Sequence, residues 1–364
     1  MAVVKLDKGL YPLFFIMSEL AVPLFKTISN FVISFIFTLL VFPLWYWILL
    51  KFKLGKNIRT EGVPVFHNLH QKKAGTPTMG GLLIWLIPLF LGLVFFALSK
   101  VSGFGEWINF INRRETYLPL AFLAIAGILG AIDDLFGILK IGPFGGGIGL
   151  KEKLVIYLAI SLLVGWWFVA KLGISFIPIP FAERAYLGPI AFFVFLIFFV
   201  LSISFSANET DGLDGLLGGI SLIAISSLLV VSFLNGNYNL ASLSAAMLGS
   251  ILAFLWFNIY PAKVFMGDTG SMAIGIFLAL VFLLEGIPFL APLILPIFVI
   301  EAGSVIIQFF SKKVFKEKIF VSTPIHHHFE AIGNHESSIV FKFWVINAFG
   351  AILGLMIFIL DKYI

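Results

Sequence analysis

Asn208-Glu-Thr-Asp211-Gly-Leu-Asp214-Gly215 stands between two apolar runs, 186–206 and 216–234. Each run has about the length a helix needs to cross the hydrocarbon of a bilayer, roughly 20 apolar residues. Acids set beside a membrane core are costly and mark chemistry or ion movement. Asn208, Asp211 and Asp214 recur at i, i+3 and i+6, so neighbours share a face wherever the segment is helical. Gly212, Gly215, Gly218 and Gly219 admit close approach of backbone or ligand. Such hard oxygen donors suit Mg²⁺, which keeps waters and takes one or two carboxylates plus substrate phosphate. The plainer reading is a polar turn between two spans.

Working outward, apolar runs recur at 28–50, 79–99, 117–136, 154–171, 186–206, 216–234, 241–259, 269–285, 287–310 and 340–360. With 60% hydrophobic and 12% charged residues and a mean hydropathy of +1.07, the expectation is an all-α polytopic membrane protein with ten transmembrane helices and a single domain over 1–364. Pro288, Pro292, Pro296 and Glu301 interrupt the ninth run, which predicts a bent or broken helix there. Ten spans put both termini on one side. The opposite loops carry most of the cations, among them Lys51, Lys53, Lys56, Arg59, Lys72, Lys73, Lys140, Lys151, Lys153, Lys312, Lys313, Lys316 and Lys318. By the positive-inside rule those loops are cytoplasmic and the termini extracytoplasmic. The other loops hold only Lys100, Arg113, Arg114, Lys171 and Arg184. The partner of this charge pattern is a lipid bilayer, not nucleic acid. The first 27 residues read as an amphipathic helix on the outer surface, and 173–181 as a short external hairpin or extended segment. With no cysteine in the chain, disulfides and thiolate chemistry are excluded.

Every acid or histidine cluster falls on the cation-rich side. Asp133 and Asp134 close the third run, at a helix C-terminus where the dipole disfavours acids; holding a cation or taking a proton explains them better than capping does. Asp268 alone would read as a helix N-cap, but beside the other acids it becomes a candidate metal ligand. His326, His327 and His328 follow Pro324 and precede Glu330 in a lysine-rich loop. Three consecutive histidines make a poor zinc site and suit contact with an anion. His70 to Gly81 brings cations, hydroxyls and glycines to the start of a span, which favours phosphate.

The strings Gly75-Thr-Pro-Thr-Met-Gly-Gly81, Asp133-Asp134, Asn208-x-Thr-Asp-Gly-Leu-Asp-Gly, Trp256-Phe-Asn258 with Met266-Gly-Asp-Thr-Gly-Ser271, and Pro324-x-His-His-His-Phe-Glu330 resemble the phospho-N-acetylmuramoyl-pentapeptide transferase family, within the polyprenyl-phosphate N-acetylhexosamine-1-phosphate transferases. The resemblance covers nearly the whole chain. It implies transfer of phospho-MurNAc-pentapeptide from a UDP carrier to undecaprenyl phosphate, giving lipid I and UMP, with Mg²⁺ as cofactor and Mn²⁺ as substitute, at the cytoplasmic face of a bacterial inner membrane. Asp133 would be the base, Asp134 its support, and Asp268 catalytic. Asp268 and Asp211 would hold the metal, with Asn208 and Asp214 lining the same site. Lys73, Thr78, Lys153 and His326–His328 would contact phosphates, while Asn258, Phe265 and Gln308 would lie toward the nucleoside or sugar. A homodimer is compatible with all of this.

Two positions depart from the family pattern: Gly137 stands where a lysine is usual, and Glu209 where an apolar residue is usual. The alternatives are a UDP-GlcNAc-dependent GlcNAc-1-phosphate transferase and, from another class, an ion-coupled transporter. The uninterrupted His triplet followed by Glu argues against the first. The absence of a repeat and the one-sided clusters argue against the second.

Overall fold

The computed structural model describes residues 11–55, 73, 75–102, 105–142, 146–182 and 184–364. Residues 1–10 of the helix expected over the first 27 residues, and Lys56, Arg59, His70 and Lys72, lie outside them. The helices in chain order are α1 (Tyr11–Lys51), α2 (Leu82–Ser102), α3 (Tyr117–Ile138), α4 (Leu150–Trp166), α5 (Gly188–Thr210), α6 (Leu216–Leu234), α7 (Tyr238–Asn258), α8 (Asp268–Leu284), α9 (Ala291–Ile294), α10 (Pro296–Val314), α11 (Ile325–Ala331) and α12 (Glu336–Tyr363). Each of the ten apolar runs falls mainly on one of these helices, except the ninth, which is divided between α9 and α10. Among the described residues, eight helices are long and apolar enough to cross a membrane: α1 to α7 and α12.

The other two runs differ from uniform spans for local reasons. The ninth is broken, its halves Pro288–Ile294 and Pro296–Val314 meeting at 86°. Leu295 between them is off the helical region at φ −124°, ψ 51°, as steric conflict with a following proline demands. α8 has 17 residues, because its start is held back by a backbone ladder in which Gly80 and Gly81 N–H donate to Phe265 and Met266 carbonyls and Phe265 N–H donates to Pro77. Thr269 to Leu283 of α8 are all buried. An all-round apolar helix belongs at the centre of a bundle, and α2, α3, α5 and α6 pack around it.

α1 is one helix of 41 residues, about 60 Å long at 1.5 Å per residue. Residues 11–27 therefore extend the first span instead of forming the separate surface helix expected. α1 packs along α7 through small hydroxyl residues: Ser34 Oγ donates to the Ala246 carbonyl at 2.7 Å and lies 2.8 Å from Ser250 Oγ, with Thr38 Oγ1 3.0 Å from the same hydroxyl. Such seams let helices approach where lipid offers no hydrophobic drive. The expected hairpin is present, Phe176 pairing with Tyr186 and Ile177 with Ala185 in antiparallel register. Large apolar side chains such as Leu40, Ile190 and Phe198 face outward, as a lipid-facing surface requires.

Candidate functional site

Four helix ends converge on one ammonium group. Lys153, in the first turn of α4, places Nζ 2.7 Å from Asp133 Oδ2 and 2.8 Å from Asp268 Oδ1. Asp133 comes from the last turns of α3 and is held on its other oxygen by the Ile148 N–H. That contact depends on a tight loop: Gly147 sits at φ +90°, and a Cβ there would come within 3.1 Å of Asp133 Oδ1. Asn208, near the end of α5, donates through Nδ2 to Asp268 and, at 3.1 Å, to Ser271 Oγ. Asp211 is the C-terminal cap of α5, its N–H 3.3 Å from the Asn208 carbonyl.

Asp134 plays a different part from its neighbour. Its Oδ1 and Oδ2 accept the backbone N–H groups of Asp268 and Thr269, both at 3.0 Å. It therefore caps α8 from α3, filling orphan donors at a positive helix end. Asp268 is thus not itself the N-cap; its backbone is capped and its carboxylate is turned to Lys153 and Asn208. The close approach is made possible by Gly130, where a Cβ would fall 2.2 Å from the Asp268 carbonyl oxygen. Support for Asp133 from Asp134 is consequently indirect, through the position of Asp268. Asp134→Ala should lower stability by about 1–2 kcal/mol, the usual cost of a lost cap, seen as a lower Tm in detergent. Asp134→Asn should recover only part of that loss, since one amide oxygen still accepts while the amide NH2 faces the second backbone N–H.

A second cluster holds Lys73. Its Nζ lies 2.7 Å from Asp214 Oδ1 and 2.5 Å from Glu336 Oε1, with the Phe265 ring centroid at 5.9 Å. Burial works against the ammonium, but Asp214 and Glu336 outweigh it and hold Lys73 above its ordinary value. Asp214 also accepts the Ala262 N–H at 2.9 Å, and Glu336 the Asp214 N–H at 2.7 Å. Asp214 therefore joins Lys73 and the start of α12, and its contacts are not with Asp268. Asn258 clamps this region, accepting from Gly215 N–H at 3.0 Å and donating to the Val264 carbonyl at 2.9 Å. Gln308 is likewise engaged by backbone, at 2.8 Å to the Phe320 carbonyl and 3.0 Å from the Ile319 N–H. Thr78 is buried, and its N–H donates to Leu54.

The three histidines diverge, as consecutive residues on a helical turn must. His326 Nδ1 is 2.9 Å from Glu301 Oε2, both side chains fully buried. Burial disfavours the imidazolium, yet Glu301 outweighs it and raises His326 above its ordinary value of 6.5. Its Nε2 lies against Gly212, where a Cβ would collide at 2.0 Å. His327 Nδ1 pairs with Glu330 at 2.8 Å. His328 Nδ1 accepts the Val321 N–H at 3.2 Å. Glu301 enters the sequence reading only as an interruption of a proline-rich run, and Glu336 not at all; the structure places the latter in the first turn of α12, where an acid is locally unremarkable.

Among the described residues no three carboxylate or imidazole groups cluster as a metal cage. The acceptors at the Lys153 centre are hard oxygens, those of Asp133 and Asp268, with the Asn208 amide beside Asp268. That set fits a cation of the Mg²⁺ type, which takes few protein ligands and completes its shell with phosphate and water.

Residues 117–285 match the family described as Glycosyl transferase family 4, and residues 73–84 match Phospho-N-acetylmuramoyl-pentapeptide-transferase signature 1. A phospho-N-acetylmuramoyl-pentapeptide-transferase of Anoxybacillus flavithermus is 37% identical over 89% of this chain and 95% of its own length. That of Listeria innocua is 37% identical over 92% and 99%, and that of Clostridium novyi 35% over 90% and 96%.

Proposed function

The chain belongs to the phospho-N-acetylmuramoyl-pentapeptide transferase family, and from that premise we propose that it transfers phospho-MurNAc-pentapeptide from its UDP carrier to undecaprenyl phosphate. The products would be lipid I and UMP. The observation that supports this best is the Lys153 ammonium shared by Asp133 and Asp268. Phosphoryl transfer asks a protein mainly for positioning and charge stabilisation, and this centre offers a carboxylate, a cation and an amide at the ends of four helices. The acceptor keeps its tail in the bilayer while its phosphate meets a soluble nucleotide, so the chemistry belongs at a membrane face, which we assign to the cytoplasmic side of a bacterial inner membrane.

In this reading Asp133 accepts the proton of the acceptor phosphate. The acceptor oxygen then bonds to the phosphorus attached to MurNAc, and the pyrophosphate bond to UMP breaks. Lys153 follows the charge, since one ammonium serves both carboxylates and can shift toward entering phosphate oxygens. Asn208 fixes the rotamer of Asp268, and the Ile148 N–H fixes that of Asp133. Lys73 and His327 are the groups through which the Asp214 and Glu330 clusters would meet the donor's diphosphate. Mg²⁺, or Mn²⁺ in its place, would be held by Asp268 and Asp211 and would neutralise diphosphate charge.

The test is UMP release by purified protein in detergent with undecaprenyl phosphate, Mg²⁺ and either UDP-MurNAc-pentapeptide or UDP-GlcNAc. Turnover with the first donor is expected; turnover with UDP-GlcNAc alone would overturn the assignment. Asp268→Asn should raise the Mg²⁺ concentration for half-maximal rate by about 10–100-fold, the range seen when a metal site is weakened. Full activity of the native protein in excess chelator would remove the metal from the proposal.

A further inference from the structure

The end of the bundle opposite the acid cluster carries a cavity that the transferase chemistry does not use. Its volume is ≈ 550 Å³, within the roughly 300–1,000 Å³ of small-molecule sites. It opens among α2, α3 and α4, with Phe96, Tyr117, Ala121, Leu163, Trp166 and Trp167 in its wall. Tyr117 and Asp133 bracket α3, about 24 Å apart at 1.5 Å per residue, so the cavity mouth and the Lys153 centre sit at opposite ends of one helix. Leu163, Trp166 and Tyr117 are exposed, which leaves the cavity open sideways to whatever surrounds the helices.

Cations frame its rim. Lys100 Nζ lies 5.5 Å from the Phe96 ring centroid and Lys171 Nζ 5.3 Å from that of Trp166, and both rings line the cavity. Arg113 and Arg114 are exposed and stand just before Tyr117. The loops at this end of the helices are otherwise poor in cations, and four of the five named for them, Lys100, Arg113, Arg114 and Lys171, stand within four residues of a side chain that lines the cavity. Tryptophan and tyrosine at this level match the headgroup zone of a bilayer. A π-helical turn, Trp167–Lys171, ends α4 at the same rim, a distortion frequent at functional sites.

An apolar slot opening to the hydrocarbon, with aromatic lips and a ring of cations at headgroup depth, has one matching occupant. We propose that this cavity binds a phospholipid with an anionic phosphodiester headgroup, one acyl chain filling the slot and the phosphate resting between Lys100, Lys171 and the Arg113–Arg114 pair. Basic groups near a membrane surface attract anionic lipid, and an apolar slot alone would not distinguish one headgroup from another.

The experiment uses the full chain, purified and delipidated in detergent, with phosphatidylglycerol, phosphatidylcholine of the same acyl chains, or undecaprenyl phosphate added. Bound lipid is read by native mass spectrometry and by thermal shift. Phosphatidylglycerol should be retained about tenfold over phosphatidylcholine. The double variant Lys100→Gln/Lys171→Gln should lose that preference while keeping turnover at saturating substrates. Ala121→Trp, an exposed position that would fill the slot, should lose binding of both phospholipids. Equal retention of the two lipids by the native protein, unchanged retention in both variants, or displacement of phosphatidylglycerol by undecaprenyl phosphate would each overturn the proposal.

Discussion

Asp133→Asn should lower turnover by about 10²–10⁴-fold, the contribution of a general base, while leaving the protein folded. The amide matches the carboxylate in size, and its oxygen can still accept the Ile148 N–H that now holds Oδ1. What it loses is the capacity to take a proton and half of the anionic charge that the Lys153 ammonium serves. Single-turnover UMP release, with Tm measured on the same sample, separates the two effects. A slow variant with native Tm is the expected result. A rate near that of the native protein at saturating substrate would take Asp133 out of the chemistry.

Lys153→Met should be damaging in both respects. Its side chain is 13% exposed, and its removal leaves Asp133 and Asp268 facing each other with no cation between them. Removing one partner of a buried ion pair costs about 3–5 kcal/mol, because the other charge stays behind; losing a donor aimed at developing charge costs about 10²–10³-fold in rate. The diagnostic is the double variant Lys153→Met/Asp133→Asn. With one carboxylate neutralised, Tm should recover toward the native value, a coupling that contacting residues display and independent ones do not. Turnover should stay low. That low rate follows already from the loss of Asp133, so recovery of activity along with Tm would take both Asp133 and Lys153 out of the chemistry.

The site was only partly legible beforehand, and the particular residues show why. Asp133, Asp268 and Asn208, each an acid or amide closing or opening an apolar run, are brought together by the structure. Lys153 was expected to meet substrate phosphate, and it is found on the two carboxylates. Asp214 shares a motif with Asp211, yet its partners are Lys73 and Glu336. Asn258 and Gln308, expected toward the nucleoside, have their amides engaged by backbone groups of nearby loops. A carboxamide looks the same in sequence whether it meets a ligand or pins a loop.

From the sequence by itself came the membrane helices, the broken ninth run, the small hairpin and the roster of acids. These follow from run length, proline placement and composition, which act over one or two helical turns. The tertiary structure decided what each charged group does. Asp134 caps a helix that starts 134 residues later, and Lys73 meets an acid 263 residues away. The role of a buried charge is set by the donors and acceptors that reach it, since an unpaired one is too costly to keep. In a bundle those partners come from neighbouring helices, whose identity depends on how the helices pack around α8.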